Sequence, residues 1–457
     1  MNLLVKDKRF YKKMAVIAIP ISLQSMITIG VNMTDTVMVG KLGETSLSAT
    51  ALANQFVNIY QICCMGIAMG ASVLTSRFWG MQDITSLKKT ITLMLRLCIV
   101  LAVLFMLPTI LIPQLLMRMY TSDSAVIAQG VQYFKWMVYC YFLQGMTMTC
   151  TIVLRSVGQV NFPLFTSIGS FFVNILFNYM FIFGRLGVPR MEVEGAGVGT
   201  LIARVFEFSL ICGYFLFVDR KIGYRLKDLR MKCNSLIKDY VSISIPVFVS
   251  DSLLALGTSA VAMVMGRIGT GFVSANSITV VTQQLTTVII QGICHASCIM
   301  TGHTLGQGER EKAQQQAWTF LILGLVVGIL GGGLIKVLSR SIIGLYNITP
   351  ETAQIAGELM DAIAFIVIFQ SMNSILTKGV LRGGGDTKFL MVADIIFLWA
   401  ASLPLGILAG LVWHLDAFWI YVFLKIDQIC KSIWCVFRLR SGKWIKTFSK
   451  EKMNHAQ

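Results

Sequence analysis

Charged residues are scarce in this chain: Asp, Glu, Lys and Arg make up 13% of its 457 residues, whereas 55% are hydrophobic. A soluble protein of this length would need roughly a quarter of its residues charged to cover its surface. The apolar stretches repeatedly reach the roughly 20 residues that cross a bilayer. The composition therefore excludes a soluble protein and predicts an all-α, polytopic membrane protein.

Groups that bind metals or form disulfides are also sparse. The chain has 4 His, and its 11 Cys form neither a CxxC pair nor a cluster with metal-ligand spacing. Most of the cysteines lie in apolar runs, where a free thiol behaves as a small hydrophobic group. The loops lack the clustered Asp or His of an integral-membrane transferase. We therefore predict no metal site, no organic cofactor and no enzymatic activity.

Acidic residues are outnumbered, with 22 Asp and Glu against 39 Lys and Arg, which gives a net charge of +17. The basic residues concentrate at the two ends and in the stretch 219–238, next to hydrophobic segments. This is the distribution of the positive-inside rule, so their predicted partner is membrane lipid and not nucleic acid. It places both termini in the cytoplasm. The first apolar run is too long for a signal peptide and is expected to remain as a span.

Apolar runs bounded by charged or turn residues predict twelve membrane spans. They lie near 14–38, 50–74, 91–117, 131–153, 163–184, 195–218, 239–265, 273–299, 316–345, 355–379, 388–412 and 418–437.

An internal repeat organises the chain. IPISLQ…VMVGKLG is followed at a constant offset by IPVFVS…MVMGRIG, which pairs Pro20 with Pro246. One residue of slip later, VLRSVGQVNF matches VLRGGGDTKF, and Arg155 pairs with Arg382. Each copy holds six spans, so the copies enter the membrane in the same sense and are parallel repeats. Such repeats are typical of transporters that work by alternating access.

The repeat predicts the domain organisation. An N-terminal lobe of six helices would cover 1–218 and a C-terminal lobe of six helices 239–440. A cytoplasmic linker at 219–238 would join them, and 441–457 would form a cytoplasmic tail.

The motifs DTVMVGKLG, VLRGGGDTK and NILFNYMFIFGRLG, with EGAGVGT after the last, resemble those of the multidrug and toxic compound extrusion (MATE) transporters. The resemblance covers essentially the whole chain. It implies export of organic cations, driven by inward movement of Na⁺ or H⁺, by a monomer in the bacterial cytoplasmic (inner) membrane. The NorM-like branch fits better, because the fifth span carries Asn174 and Asn178. The chain departs from that branch at Ala255 and Ser371, because members of the branch have acids at these two positions.

Asp35 lies in an otherwise uncharged run, where an ionised carboxylate costs roughly 2.5–3.5 kcal/mol. Such a group takes a proton or binds a cation. Asn174 and Asn178 lie four residues apart on one helix face, so we expect both amide oxygens to point at Asp35 and complete a cation cage. The alternative is a carboxylate that only caps an interhelical hydrogen-bond network.

Two further acids lie within predicted spans. Glu207 is three residues from Arg204, so an intrahelical ion pair is expected, which is either structural or a substrate relay. Asp251 has no basic residue within reach on its own helix, and we expect an unpaired acid that contacts the cation or the drug.

Weaker candidates complete the set. Asp394 and Lys378 are predicted to pair across helices, and Glu192 and Glu194 to be solvated loop acids. His295 could handle a proton or merely be hydrogen-bonded. Kinks at Pro20 and Pro246 would act as hinges. Adaptable or polar side chains that would suit a substrate wall are Gln24, Met33, Gln55, Phe56, Gln61, Gln283 and Gln284.

The favoured interpretation is a cation-coupled antiporter for amphipathic, mostly cationic compounds. A flippase for a lipid-linked precursor is the first rival, but it would need several basic groups in its cleft, and the sequence suggests only Arg204 and Lys378 within the spans. A passive channel is disfavoured by the repeat and by the lack of a filter-like loop.

Overall fold

The computed structural model describes residues 4–185, 187–344 and 348–447. Within these ranges the regular structure is helical and contains no strand, which confirms the all-α prediction. Most of the predicted tail at 441–457 lies outside the described residues, from 448 onward.

Among the described residues, eleven helices are long and apolar enough to cross a bilayer. In chain order they are α1 Lys8–Gly40, α2 Glu44–Gly80, α3 Ile84–Leu111, α4 Ser124–Ser156, α5 Asn161–Phe183, α6 Glu192–Val218, α7 Asn234–Ile268, α8 Thr270–Gly306, α9 Arg310–Ile343, α10 Pro350–Leu381 and α11 Thr387–Val412. Each overlaps one predicted span.

The twelfth helix, α12, is interrupted. It consists of Ala417–Leu424 and Ile426–Arg440, and Lys425 between them has φ −122° and ψ 15°, outside the helical range. Charged Asp427 and Lys431 follow the break and are buried. The twelve-helix layout is therefore confirmed, with a last helix that carries charge into the interior of the fold.

The chain divides into two compact units. The first unit comprises residues 23–244, and the second comprises residues 1–22 and 245–457. Both boundaries fall inside a helix, next to Pro20 in α1 and next to Pro246 in α7. Both prolines are buried, and α1 and α7 run through them as helices. Their hinge role remains a prediction.

The EGAGVG motif at the start of α6 brings α6 against α5 in the first unit. A Cβ on Gly195 would lie 2.5 Å from the carbonyl carbon of Phe181, so only glycine permits this approach. One helical turn on, a Cβ on Gly199 would overlap the side-chain oxygen of Asn178. The motif therefore determines how closely α6 packs on the helix that carries both predicted asparagines.

Small residues also permit close packing of helices in the second unit. A Cβ on Gly328 of α9 would lie 2.8 Å from the backbone of Ile368 in α10. Around this contact the core is built from aliphatic residues such as Ile363, Ile366 and Val367, which are at most 1% exposed. Tightly packed helices of this kind hold the polar residues of α10 in fixed positions.

Candidate functional site

A polar cavity of about 360 Å³ opens within the first unit, lined by α1, α2, α4, α5 and α6. Its charged lining residues are Asp35, Arg204 and Glu207. Amide side chains form much of the remaining polar wall: Asn32, Asn54, Asn58, Gln61, Gln144 and Asn174. With two carboxylates against one guanidinium, the cavity carries a negative charge when all three groups are ionised.

The structure brings Asp35, Asn174 and Asn178 together, as predicted. The Asn178 Nδ2 donates a hydrogen bond to Asp35 Oδ1 at 2.6 Å and lies 3.3 Å from Asn174 Oδ1. Both asparagines are buried. Among the described residues Asp35 forms no ion pair. The Asn178 amide contacts it directly, and the positive charge of Arg204, in the same cavity, also favours its ionised form.

The orientation of Asn178 differs from the expectation. Its nitrogen, and not its oxygen, faces Asp35, and the buried oxygen has no hydrogen-bond partner among the described residues. That oxygen instead lies against Gly199, in the space that a side chain there would fill. An amide N–H stabilises a carboxylate, whereas a second oxygen would repel it, which explains the orientation. The predicted cage of two amide oxygens is therefore not formed in this arrangement.

Arg204 and Glu207 form the expected pair on α6. Arg204 Nη1 lies 2.8 Å from Glu207 Oε2, one helical turn away. Both line the same cavity as Asp35, although they are distant from it in sequence. A second carboxylate is thus available in the cavity, partly neutralised by its neighbour.

Gln24 forms hydrogen bonds with residues of neighbouring helices. It is buried, donates to Ser167 Oγ at 2.7 Å and to the carbonyl of Pro163 at 3.5 Å, and accepts a hydrogen bond from Arg155. These contacts link α1 to α5 and α4. Gln24 is not among the residues that line the cavity, so the geometry gives it a packing role.

Asp251 in the second unit is not unpaired, and the expectation of a free acid is wrong. Arg382, directly after the last residue of α10, donates to both of its oxygens, at 3.0 and 3.4 Å. The partner lies 131 positions later in the chain, at the end of another helix, so residue spacing along α7 does not reveal it.

The predicted pair of Lys378 and Asp394 is also replaced by another. Asp394 Oδ1 accepts from Lys431 Nζ at 3.0 Å, and its other oxygen accepts from the hydroxyl of Ser250. Lys431 further contacts Asp427 at 2.9 Å. Together with Arg382 and Lys425, these residues show that the sequence-based count of basic groups within the spans was too low.

The weaker candidates fall in varied environments. Gln283 Nε2 donates to Gln370 Oε1 at 2.8 Å, while Gln284 is exposed. His295 is half-buried in α8. Glu192 is exposed, as predicted, and lies 3.3 Å from Arg190, but it and the half-buried Glu194 belong to the first turn of α6 and not to a loop. None of these residues is among those lining the first cavity.

Sequence reasoning missed part of the amide wall. Asn54 and Asn58 of α2 line the cavity beside Gln61, and Tyr133 donates a hydrogen bond to Asn54 Oδ1 at 3.3 Å. Positions 54, 58 and 61 have the i, i+4, i+7 spacing of one helix face. Three amides on one face of a predicted span were the available signal.

Twelve membrane helices, an internal parallel repeat and an acid-bearing polar cavity inside one repeat define a membrane transporter and not an enzyme. The comparison with known families specifies it further. The MatE family model matches residues 20–180 and 246–429, one stretch in each copy of the repeat. The chain belongs to the MatE family and is a multi-pass membrane transporter.

Relatives and solved structures agree with this assignment. The chain is 24% identical over 419 residues to the uncharacterized transporter YisQ of Bacillus subtilis, covering 90% of each chain. It is 23% identical over 438 residues to the probable multidrug resistance protein NorM of Thermotoga maritima, covering 95% of this chain and 93% of that one. A crystal structure of the Vibrio cholerae MATE transporter VcmN superposes with a TM-score of 0.86 at 16% identity, covering 95% and 97% of the two chains. The resemblance to this family is thereby confirmed, and the solved structure supports the fold.

Proposed function

We propose that this protein is an antiporter that couples inward movement of H⁺ or Na⁺ to export of amphipathic, mostly cationic organic compounds, drugs among them. It would act in the bacterial cytoplasmic membrane as a monomer, with both termini in the cytoplasm and anionic lipid as the partner of its basic loops. Several relatives are named as probable multidrug resistance proteins. Their names support drugs as a substrate class.

The observation that supports the proposal most strongly is the position of Asp35. It lies in a membrane-spanning helix, lines a polar cavity, and has no ion-pair partner among the described residues. A carboxylate in such surroundings is stabilised by a proton or a cation. Binding and release of that ion is the elementary step that coupling requires.

The geometry supports exchange of an ion for a substrate in one cavity. An organic cation that enters it meets Asp35 and Glu207, and a proton or Na⁺ on Asp35 cancels the net negative charge that the two carboxylates and Arg204 leave in the cavity. The ion and the substrate therefore disfavour each other, and each need only prefer a different state of the protein for transport to be coupled.

The two ions place different demands on Asn178. Protonation of Asp35 at the oxygen that Asn178 does not contact needs no rearrangement. A sodium ion prefers oxygen ligands, so the Asn178 amide would have to rotate and present its oxygen. The missing side chain at Gly199 leaves room on that side of the amide.

The test uses purified protein in proteoliposomes with ethidium as the transported cation. Export is measured under a pH gradient alone and then under a Na⁺ gradient alone. We expect one gradient to drive export in the wild type and neither to do so in Asp35→Asn. Asp361→Asn is the matched control, because Asp361 is an exposed acid of α10 paired with Lys336 at 2.5 Å.

Wild-type export rates in Asp35→Asn would remove Asp35 from the coupling step. Export by the wild type without any ion gradient would overturn antiport altogether. Incorporation of each variant into the liposomes is quantified, so that a loss of protein is not mistaken for a loss of coupling.

A further inference from the structure

A second polar cavity, of about 210 Å³, lies within the second unit. It is lined by α7, α10, α11 and α12. Four of its lining residues are basic: Lys378, Arg382, Lys425 and Lys431. Two are acidic, Asp394 and Asp427. The cavity therefore has the opposite polarity to the cavity that contains Asp35.

Each acid at this cavity already has a basic partner. Lys431 binds both Asp394, at 3.0 Å, and Asp427, at 2.9 Å. Arg382 binds Asp251, which lies beside the lining, at 3.0 Å. Three carboxylates are thus paired with two basic groups. The two remaining basic residues that line the cavity are Lys378 and Lys425.

Lys378 and Lys425 have no ion-pair or hydrogen-bond partner among the residues that the structure describes, although both line the cavity. Lys378 lies on the π-helical end of α10, and Lys425 occupies the break in α12. The buried Nε of Arg382 and the buried Oδ1 of Asn373 also lack a partner there. Both lysines are half-buried, and a charge that is partly removed from water is costly unless a counter-ion approaches it.

We propose that this cavity binds the carboxylate of a small organic anion between Lys378 and Lys425. Counting Asp251, four basic groups face three acids, so one positive charge is in excess. That excess matches a monoanion, whereas Asp394 and Asp427 would repel a group with two negative charges. The site goes beyond cation-coupled export and lies in the unit that has no counterpart of Asp35.

The remaining lining fits an anion with an apolar body. Leu254, Val261 and Leu398 form an apolar wall, and hydroxyl groups of Thr377 and Ser374 complete the polar side. A cavity of about 150 Å³ is known to accept benzene, so 210 Å³ has room for a ring that carries a carboxylate. Benzoate is therefore a suitable probe.

The experiment measures equilibrium binding of radiolabelled benzoate to the purified full-length protein in detergent. The wild type is expected to bind saturably, at one site per chain. Lys378→Gln and Lys425→Gln should each weaken binding about tenfold or more, since a charge-assisted hydrogen bond is lost. Lys378→Arg should retain most of it. Lys336→Gln is the control, because that lysine is exposed and paired with Asp361.

Three results would overturn the proposal. They are no saturable binding to the wild type, unchanged affinity in both glutamine variants, and competition by neutral benzamide as strong as by benzoate. Stronger competition by methyl phosphate than by benzoate would overturn the choice of a carboxylate. Elution volume and helical content show whether each variant is folded.

Asp35→Asn separates this proposal from the proposed function. It should bind benzoate as the wild type does, because Asp35 belongs to the other unit. Coupled export without benzoate binding would leave the antiporter proposal intact and remove only the anion site.

Discussion

The two copies of the repeat share a scaffold but differ in the charge of their cavities. The register that pairs Pro20 with Pro246 also pairs Asp35 with Val261, and both of these residues line a cavity of their unit. The first cavity therefore has an acid where the second has an aliphatic side chain. At this pair of equivalent positions the first unit, and not the second, carries the acid on which the proposed ion coupling depends.

The paired arginines show the same divergence. Arg155 in the first unit donates to the neutral amide of Gln24, whereas Arg382 in the second unit binds the carboxylate of Asp251. One repeat uses a hydrogen bond where the other uses an ion pair. Their substitutions should have unequal effects, and this comparison can be tested directly.

The largest effect on stability is expected for Arg382→Met. It would leave Asp251 without its partner, and removing one member of a buried pair costs about 3–5 kcal/mol. Arg155→Met removes a bond to a neutral group and should cost about 1–3 kcal/mol. Thermal unfolding in detergent, followed by intrinsic fluorescence, gives both melting temperatures.

The double variant with Arg382→Met and Asp251→Asn is the control for this comparison. It should recover part of the lost stability, because the unpaired charge is removed along with its partner. Equal losses of melting temperature in the two arginine variants would show that the units do not differ in this respect.

Gly199→Ala should have an intermediate effect, on transport more than on stability. Its Cβ would overlap the oxygen of Asn178 and displace the amide that donates to Asp35. We expect coupled ethidium export to fall about tenfold or more, since small misplacements in a functional site are costly. Gly213→Ala on the same helix is the matched control, because no atom lies within 4 Å of the added Cβ. Equal export by the two variants would contradict the positioning role of Gly199.

The smallest effect is expected outside the membrane. In the loop of the first unit, burial favours a raised pKa for Asp228. The hydrogen bond from Lys88 at 2.9 Å, the Arg225 N–H and the charge of Lys88 together outweigh burial and lower the pKa. A carboxyl with a lowered pKa stabilises the fold above its unfolded-state pKa of about 3.9. That stabilisation is lost as the pH falls through the lower, folded-state value.

Asp228→Asn should therefore lower the melting temperature slightly at pH 7, and the difference from the wild type should shrink at acidic pH. Lys88→Gln should reproduce the difference at pH 7. A difference that grows on acidification would contradict the sign of this argument.

The sequence predicted well what depends on neighbours along one helix. The apolar runs fixed the number of spans, and the repeat set their order. The Arg204–Glu207 pair follows from a spacing of three residues, and the joint presentation of Asn174 and Asn178 from a spacing of four. Asp35 could be selected because an isolated charge in an apolar run is costly wherever it points.

Contacts between helices could not be predicted in the same way. The partners of Asp251 and Asp394 lie 131 and 37 positions further along the chain, and several basic residues were eligible for each. The orientation of Asn178 depends on the packing of α6 through Gly199, which no spacing along α5 reveals. The break in α12 falls at Lys425, where the sequence has neither proline nor glycine to signal it.

Substrate-induced release of the coupling ion from purified protein tests the central role of Asp35 most directly. Tetraphenylphosphonium is added to the protein in weak buffer, and released protons and released ²²Na⁺ are both measured. The account predicts that the wild type releases one of these ions on binding the organic cation, and that Asp35→Asn releases neither. Release by Asp35→Asn equal to that of the wild type would contradict it.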